Sequence, residues 1–403
     1  MKLRVLFVDD EPNVLQGLRR MLRPQRDEWD MDFSSSGAAA LAAMRESPYD
    51  VIVCDMRMPG MDGAQVLAAV RDQFPGTTRI ILSGQSDDES VMRTVGPAHQ
   101  FLSKPCDPSA LRDAIARAQS LRRLLRSDNL LSLVGRIDVL PPLPRIYTEL
   151  VEVLQSPGSS AKEVAYVVSK DVGMAAKILQ LVNSAFFGLP RRVTNMTMAV
   201  SYLGNETIRA LVLTASVFSQ LGRRRMEWFP MEALWNHCIL VGAVASRVCT
   251  IHQADRPLVD DAMLAGSLHD VGRLVLAVAD SAAYKEAMAL AAKEQLSAGD
   301  AEARVLGATH AEAGAYLMGL WGLPDPVVEA VAYHHRPAEG GPPSWSPLAV
   351  VHVADVVAHE AVPPPDRCRP GVLDQKYVAP LGVLETWHCL IEEFRGLVEG
   401  DTR

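Results

Sequence analysis

Two sets of residues in this sequence are of types that could do chemistry together. The first is Asp9, Asp10 and Asp55 with Ser83 and Lys104. Carboxylates gathered at one place repel one another unless a cation joins them, and carboxylates with a carbonyl around a small divalent ion describe a Mg2+ site. An ammonium and a hydroxyl beside it suit the oxygens of a transferred phosphoryl group. Mg2+ would neutralise the charge on that group while a carboxylate attacks in line. The second set is His237, His269-Asp270, His310, His334-His335 and Asp355. Imidazole with carboxylate suits Zn2+, Mn2+ or Fe2+. Two such ions bridged by a carboxylate can activate water for phosphoester hydrolysis.

Taken singly, each acid of the first set would be a loop residue or a cap. The elements around them argue otherwise. Leu3 to Val8 is a continuous apolar run that stops at Asp9-Asp10, and Val51 to Cys54 stops at Asp55. Ile80 to Leu82 ends at Ser83, Phe101-Leu102 ends near Lys104, and Met31 to Phe33 is a weaker strand. Helical spacing lies between them at Pro12 to Leu22, Ala38 to Met44, Gln65 to Arg71, Glu89 to Val95 and Leu111 to Leu125. Continuous apolar strands alternating with helices predict a parallel sheet covered on both faces. Ligands of such sheets bind at the C-terminal strand ends, where all five candidates fall.

The stretches VLFVDDE, VIVCDMRMPGMDG, IILSGQSD and FLSKPCD resemble the response-regulator receiver family, across the whole of about residues 1–126. The resemblance implies an α/β, flavodoxin-like doubly wound parallel sheet, with Asp55 phosphorylated by a sensor histidine kinase. It also implies that Asp10, Asp55 and the backbone carbonyl of Arg57 hold Mg2+, Asp9 helping through water, and that Ser83 and Lys104 contact the phosphoryl group. Phe101 matches the family's aromatic switch, Pro105 would follow a cis peptide bond, and Gly60 and Gly63 would shape the loop after the acceptor.

Beyond about residue 133, strand signals largely vanish and helical periodicity, broken by Gly and Pro, predicts an all-α domain. The last receiver helix could pack on its own sheet or pair with a second chain in a homodimer. LPPLPRIYTELVEVLQSP, VSKDVGMAAKILQLVNSAFFGLP and MAVSYLGNETIRALVL resemble the HDOD family. The resemblance implies a helical HD-related output domain that signals through a protein partner. The expected division is a receiver at 1–126, a linker at 127–135, the HDOD domain at 136–360 and an extension at 361–403 that packs on it. In that extension, Leu381 to Val398 reads as an amphipathic helix burying Trp387 and Phe394.

The order of the second set is similar to that of the HD phosphohydrolase superfamily. By that match one metal would use His237, His269, Asp270 and Asp355, and a second Asp270, His310, His334 and His335. Each histidine alone would be a satisfied core or surface residue, and the HDOD family as a whole is a degenerate HD domain; this sequence retains every position. Two departures argue against catalysis. Arg273 stands where the active signature has lysine, and arginine is a poor proton donor. HHRPAEGGPPSW also lacks the segment that marks cyclic di-GMP phosphodiesterases. The sequence thus leaves open a non-catalytic signalling protein and a metal-dependent phosphohydrolase.

Composition bounds the rest. The chain has 403 residues, 48% hydrophobic and 22% charged, with a net charge of -8. That is soluble globular composition, and its acidity gives no global reason to bind nucleic acid or anionic membrane. No apolar run reads as a membrane span, the N-terminus reads as a strand rather than a signal peptide, and six cysteines without a CxxC pair predict reduced, mostly buried thiols in the cytoplasm.

Overall fold

The computed structural model describes residues 2–74, 76–83, 100–104, 106, 108–109, 111–112, 114–116, 144–156, 159–183, 193–222, 226–362 and 368–401, with Ser83 and Phe101 described through their backbone alone. The helix expected at 89–95, Pro105 and the linker at 127–135 lie outside these residues. The chain divides into two compact units, Met1–Pro142 with Tyr316–Leu323, and Leu143–Ala315 with Pro324–Arg403.

In the first unit, Leu3–Val8 (β1), Trp29–Ser34 (β2), Val51–Asp55 (β3), Thr78–Ser83 (β4) and Gln100–Ser103 (β5) form a parallel sheet in the order β2-β1-β3-β4-β5. Side chains alternate across a strand, so β1 sends Leu6 and Val8 to one face and Val5 and Phe7 to the other. Leu6, Val8, Ile52 and Ile81 pack with Met44 and Leu67 from Gly37–Glu46 (α2) and Gly63–Gln73 (α3). Val5, Phe7, Val53 and Ile80 pack with Leu18 of Pro12–Met21 (α1), and with Leu111 and Ile115. Burial on both faces explains why these strands are apolar without alternation.

The loop between β3 and α3 is closed by backbone contacts. The Gly63 N–H donates to the Met56 carbonyl at 2.9 Å, and a Cβ on Gly63 would lie 2.2 Å from the Asp55 carbonyl oxygen. Gly60 supplies a positive φ of 81°. Asp62 and Gln65 form a reciprocal capping box that starts α3.

The second unit is helical: Arg145–Gln155 (α4), Ala161–Ser169 (α5), Val172–Val182 (α6), Met196–Leu203 (α7), Asn205–Gly222 (α8), Met231–Ile251 (α9), Arg256–Leu268 (α10), Gly272–Ala279 (α11), Ser281–Glu294 (α12), Ala298–Leu306 (α13), the first part of His310–Leu320 (α14, up to Ala315), Asp325–Tyr333 (α15), Pro347–Ala361 (α16) and Trp387–Asp401 (α17), with shorter turns between. Local chemistry sets several ends. Ser160 and Glu163 form a capping box, and Gly204, at φ 81°, ends α7. Asn183 both caps and braces: its side chain donates to the Leu179 carbonyl at 2.7 Å and exchanges two hydrogen bonds with the Val193 backbone, at 2.7 and 2.8 Å.

Helices α9, α10 and α16 pack on one another, and α15 packs on both α10 and α16. The α9–α10 crossing is close because Gly242 faces Gly266 and Ser267; a Cβ on Gly242 would sit 2.2 Å from Ser267 Oγ. Met231–Ile251 and Arg256–Ala279 are long and apolar enough to cross a membrane, but 67% and 83% of their most apolar windows are buried, as suits core helices. Among the cysteines, Cys54, Cys238 and Cys249 are buried but Cys389 is exposed. The C-terminal helix begins at Trp387 rather than Leu381, because Gly382 adopts a φ of 70° and the preceding turns are 3-10. Phe394 is buried as expected, whereas Trp387 is half-buried.

Candidate functional site

The strand ends of the first unit bring Asp9, Asp55 and Lys104 together. Asp9 and Asp55 are buried, and Lys104 Nζ donates to Asp9 Oδ2 at 2.8 Å and pairs with Asp55 Oδ1. Adjacent backbone holds the remaining carboxylate oxygens. Glu11 N–H donates to Asp9 Oδ1 at 2.9 Å, and Arg57 N–H donates to Asp55 Oδ2 at 3.0 Å. Burial pushes the Asp55 carboxyl above its ordinary value, with Asp9 adding to the rise while Lys104 and the Arg57 amide oppose it. Burial works against charge on Lys104, but Asp55 and Asp9 outweigh it and raise its pKa.

Asp10 follows Asp9 and is half-buried. Ser83 and Phe101 lie at the ends of β4 and within β5, where Ser83 pairs with Ser103 and Phe101 with Ile81; their side chains are outside the described residues. Two buried carboxylates converging on one ammonium form an electrostatic basin of the kind that fits a hard cation and phosphoryl oxygens.

The second unit gathers the histidine and aspartate set. Ligating atoms of Asp270, His310, His334 and His335 all lie within 4.8 Å of one another, and so do those of His237, His269 and Asp355. The two groups adjoin: His269 Nε2 is 3.8 Å from Asp270 Oδ1 and 3.5 Å from Asp355 Oδ1. His237 Nε2 lies 3.1 Å from Asp355 Oδ1, and His310 Nε2 lies 3.2 Å from Asp270 Oδ1.

Local structure aims these side chains. His269 and Asp270 sit in the turn between α10 and α11, His310 opens α14, His334-His335 closes α15, and Asp355 projects from the buried helix α16. The Nδ1 of His269 donates to the Gly266 carbonyl at 2.7 Å, and that of His334 to the Val331 carbonyl at 2.8 Å. In its neutral form each ring therefore presents a bare Nε2 lone pair. Those two Nε2 atoms and Asp270 Oδ1 are buried without a hydrogen-bond partner. Orphaned acceptors buried together carry a desolvation cost that a cation would remove, so the donor set fits a transition metal. Burial opposes charge on Asp270 and Asp355, but the surrounding imidazoles outweigh it and hold both carboxyls well below the usual range.

Further side chains support the site, and of these Glu302 was not legible beforehand. Glu302 of α13 is fully buried and accepts from both His310 N–H at 2.8 Å and His310 Nδ1 at 2.6 Å. His352 is buried: its Nδ1 donates to the His334 carbonyl at 2.7 Å and its Nε2 accepts from Asp374 N–H at 2.9 Å. His359 packs its Nδ1 3.0 Å from Asp355 Oδ1. Arg273 donates to Asp270 Oδ2 at 3.5 Å and to the Tyr284 hydroxyl at 3.2 Å. A cavity of about 450 Å³ opens beside both groups, and Arg273, Arg336 and Arg369 are among its lining residues.

The receiver-domain family model matches residues 5–116, where the acidic basin lies, and the HDOD-domain model matches residues 140–337. The chain carries a response-regulator receiver domain followed by an HDOD domain. A receiver implies a phosphorelay response regulator, here with an HDOD output. The chain is 27% identical over 217 residues to an uncharacterized protein of Treponema pallidum, covering 54% of this chain and 41% of that protein. It is 38% identical over 116 residues to the hydrogenase transcriptional regulatory protein HoxA of Cupriavidus necator, covering 28% of this chain and 23% of HoxA. The chain thus spans less than half the length of these curated relatives. An HDOD domain protein with unknown function from Geobacter sulfurreducens superposes with a TM-score of 0.55 at 21% identity, over 68% of this chain and 97% of that one, a likeness of fold.

Proposed function

We propose that this response regulator accepts a phosphoryl group on Asp55 from a sensor histidine kinase and passes the signal through its HDOD domain to a protein partner. The carrying observation is the convergence of the buried Asp9 and Asp55 carboxylates on Lys104 Nζ. An Asp55 carboxylate oxygen attacks phosphorus, a P–O bond to Asp55 forms, and the bond to the donor's leaving group breaks. Bound Mg2+ supplies charge neutralisation for the incoming phosphoryl group; Asp9, Asp10, Asp55 and the Arg57 carbonyl would hold it. Lys104 and Ser83 are the partners for the phosphoryl oxygens, and Phe101 is the switch residue. The HDOD domain then binds or releases its partner, with homodimerisation as a second form of output. The chain works in the cytoplasm without nucleic acid or membrane. Incubation with acetyl phosphate and Mg2+ labels the wild type, and Asp55→Asn abolishes labelling; persistent label on the variant would move the acceptor elsewhere.

The orphaned Nε2 atoms of His269 and His334 and Oδ1 of Asp270 favour a second reading, a phospho-regulated metal-dependent phosphohydrolase. His237, His269, Asp270 and Asp355 would hold one ion, and Asp270, His310, His334 and His335 another. Bound Zn2+, Mn2+ or Fe2+ supplies an activated water at such sites. This reading expects tightly held metal in the purified chain, lost in His269→Ala and Asp270→Ala. Protein that is metal-free and takes up none on reconstitution would remove it.

A further inference from the structure

The two donor groups of the HDOD domain are not equivalent. Asp270, His310, His334 and His335 offer one carboxylate and three imidazoles, whereas His237, His269 and Asp355 offer one carboxylate and two. Four donors can close a tetrahedral site, and the second group reaches four only by sharing Asp270 with the first. The groups also differ in what stands behind their imidazoles. His269 and His334 donate from Nδ1 to neutral main-chain carbonyls. His310 alone among these three meets a buried carboxylate there. Glu302 Oε2 lies 2.6 Å from His310 Nδ1 and also accepts the His310 main-chain N–H at 2.8 Å. Both side chains are within 1% of full burial, and Glu302 Oε1 has no hydrogen-bond partner. The His310 Nε2 then points to the interior of the four-donor group, 3.2 Å from Asp270 Oδ1 and 3.0 Å from His335 Nε2.

Resting on the metal-dependent reading above, we propose that Glu302 is the positioning residue of the four-donor metal position: it fixes the proton of His310 on Nδ1, leaves Nε2 as the ligating atom, and makes this position the tighter of the two. A carboxylate behind a ligating imidazole fixes ring orientation and raises ligand basicity, and removing such a partner costs 10–100-fold in metal affinity. The carboxylate acts over eight residues of chain, from α13 across the turn at Gly307 to the first residue of α14. Its contact with the His310 main-chain N–H ties the helix start to the ring, so one side chain sets both where α14 begins and which way its first imidazole faces.

The experiment is Zn2+ titration of the full chain against a chromophoric chelator, comparing wild type, Glu302→Gln and His237→Ala. The wild type is expected to bind two ions of distinct affinity. Glu302→Gln, isosteric but uncharged, should weaken the tighter one by about 10–100-fold and leave the other in place, and His237→Ala should weaken only the looser one. Unchanged affinities in Glu302→Gln, or equal loss at both positions, would overturn the role of Glu302 while leaving metal binding standing. A wild type that takes up no Zn2+ would overturn the metal reading itself and this proposal with it. Nitrogen-15 spectra of the loaded wild type need no variant: a proton on His310 Nδ1 with metal at Nε2 is expected, and metal at Nδ1 defeats the proposal even if Glu302→Gln does not fold.

Discussion

Lys104 shows how much one side chain carries at the acidic basin. It is the ammonium on which Asp9 and Asp55 both converge, and both acids are withdrawn from water. Removing one partner of a buried ion pair leaves the other charges uncompensated, which costs more than the pair itself contributes. Because the lysine side chain keeps 27% of its surface, solvent screens part of that cost. Lys104→Ala should therefore destabilise the receiver by about 1–3 kcal/mol in urea titrations done in EDTA. Millimolar Mg2+ should restore more stability to the variant than to the wild type, since a divalent ion can take over the neutralisation that the ammonium supplied. Equal Mg2+ effects on both proteins would mean that the acids do not share one electrostatic site.

At the scale of elements, the HDOD centre depends on how closely α11 approaches the start of α14. A Cβ on Gly272 would lie 1.8 Å from the His310 carbonyl oxygen and 2.6 Å from Gly314 N, contacts no backbone can absorb without moving. Gly272→Ala should cost about 1–3 kcal/mol or more through overpacking, and should loosen metal at the position that His310 serves while phosphorylation of Asp55 stays intact. Normal metal affinity in the folded variant would show that α14 is not anchored there. The sequence disclosed the strands of the sheet readily, because each is an apolar run that stops at a polar residue. It disclosed the histidines and aspartates as a set, because they recur in one order. Glu302 stayed hidden because it reaches His310 across a helix end and a turn, so the contact lies within no single element and no local periodicity encodes it. His352 links the end of α15 to the backbone at Asp374, a contact 22 residues away that no local pattern encodes.

For the whole molecule, the buried histidines make stability in the metal-free state depend on pH in both directions. Burial favours neutral rings at His310 and His359, but Glu302 and Asp270 beside the first, and Asp355 beside the second, outweigh it and raise them to about 10 and about 9. A raised histidine stabilises the folded chain fully below its unfolded value near 6.5 and loses that contribution as pH climbs through the folded value. His334 and His237 have the opposite sign: burial lowers both, so below about pH 6.5 the unfolded chain takes protons that the folded chain refuses, and stability falls again. Asp270 and Asp355, held below the usual carboxylate range, add a further loss as the pH drops through their folded values. Chelator-treated protein should therefore be most resistant to thermal unfolding near pH 6.5 and weaken on either side. Metal changes the alkaline limb in particular. Ligation requires imidazoles with free lone pairs, so binding releases protons and strengthens as pH rises, and the ion replaces the cationic rings as the charge that compensates Asp270 and Asp355. Thermal scans with and without Zn2+ should coincide at acidic pH and separate progressively between pH 6.5 and 9, the loaded protein being the more stable. Parallel curves across that interval would mean that the ion does not bind among these rings.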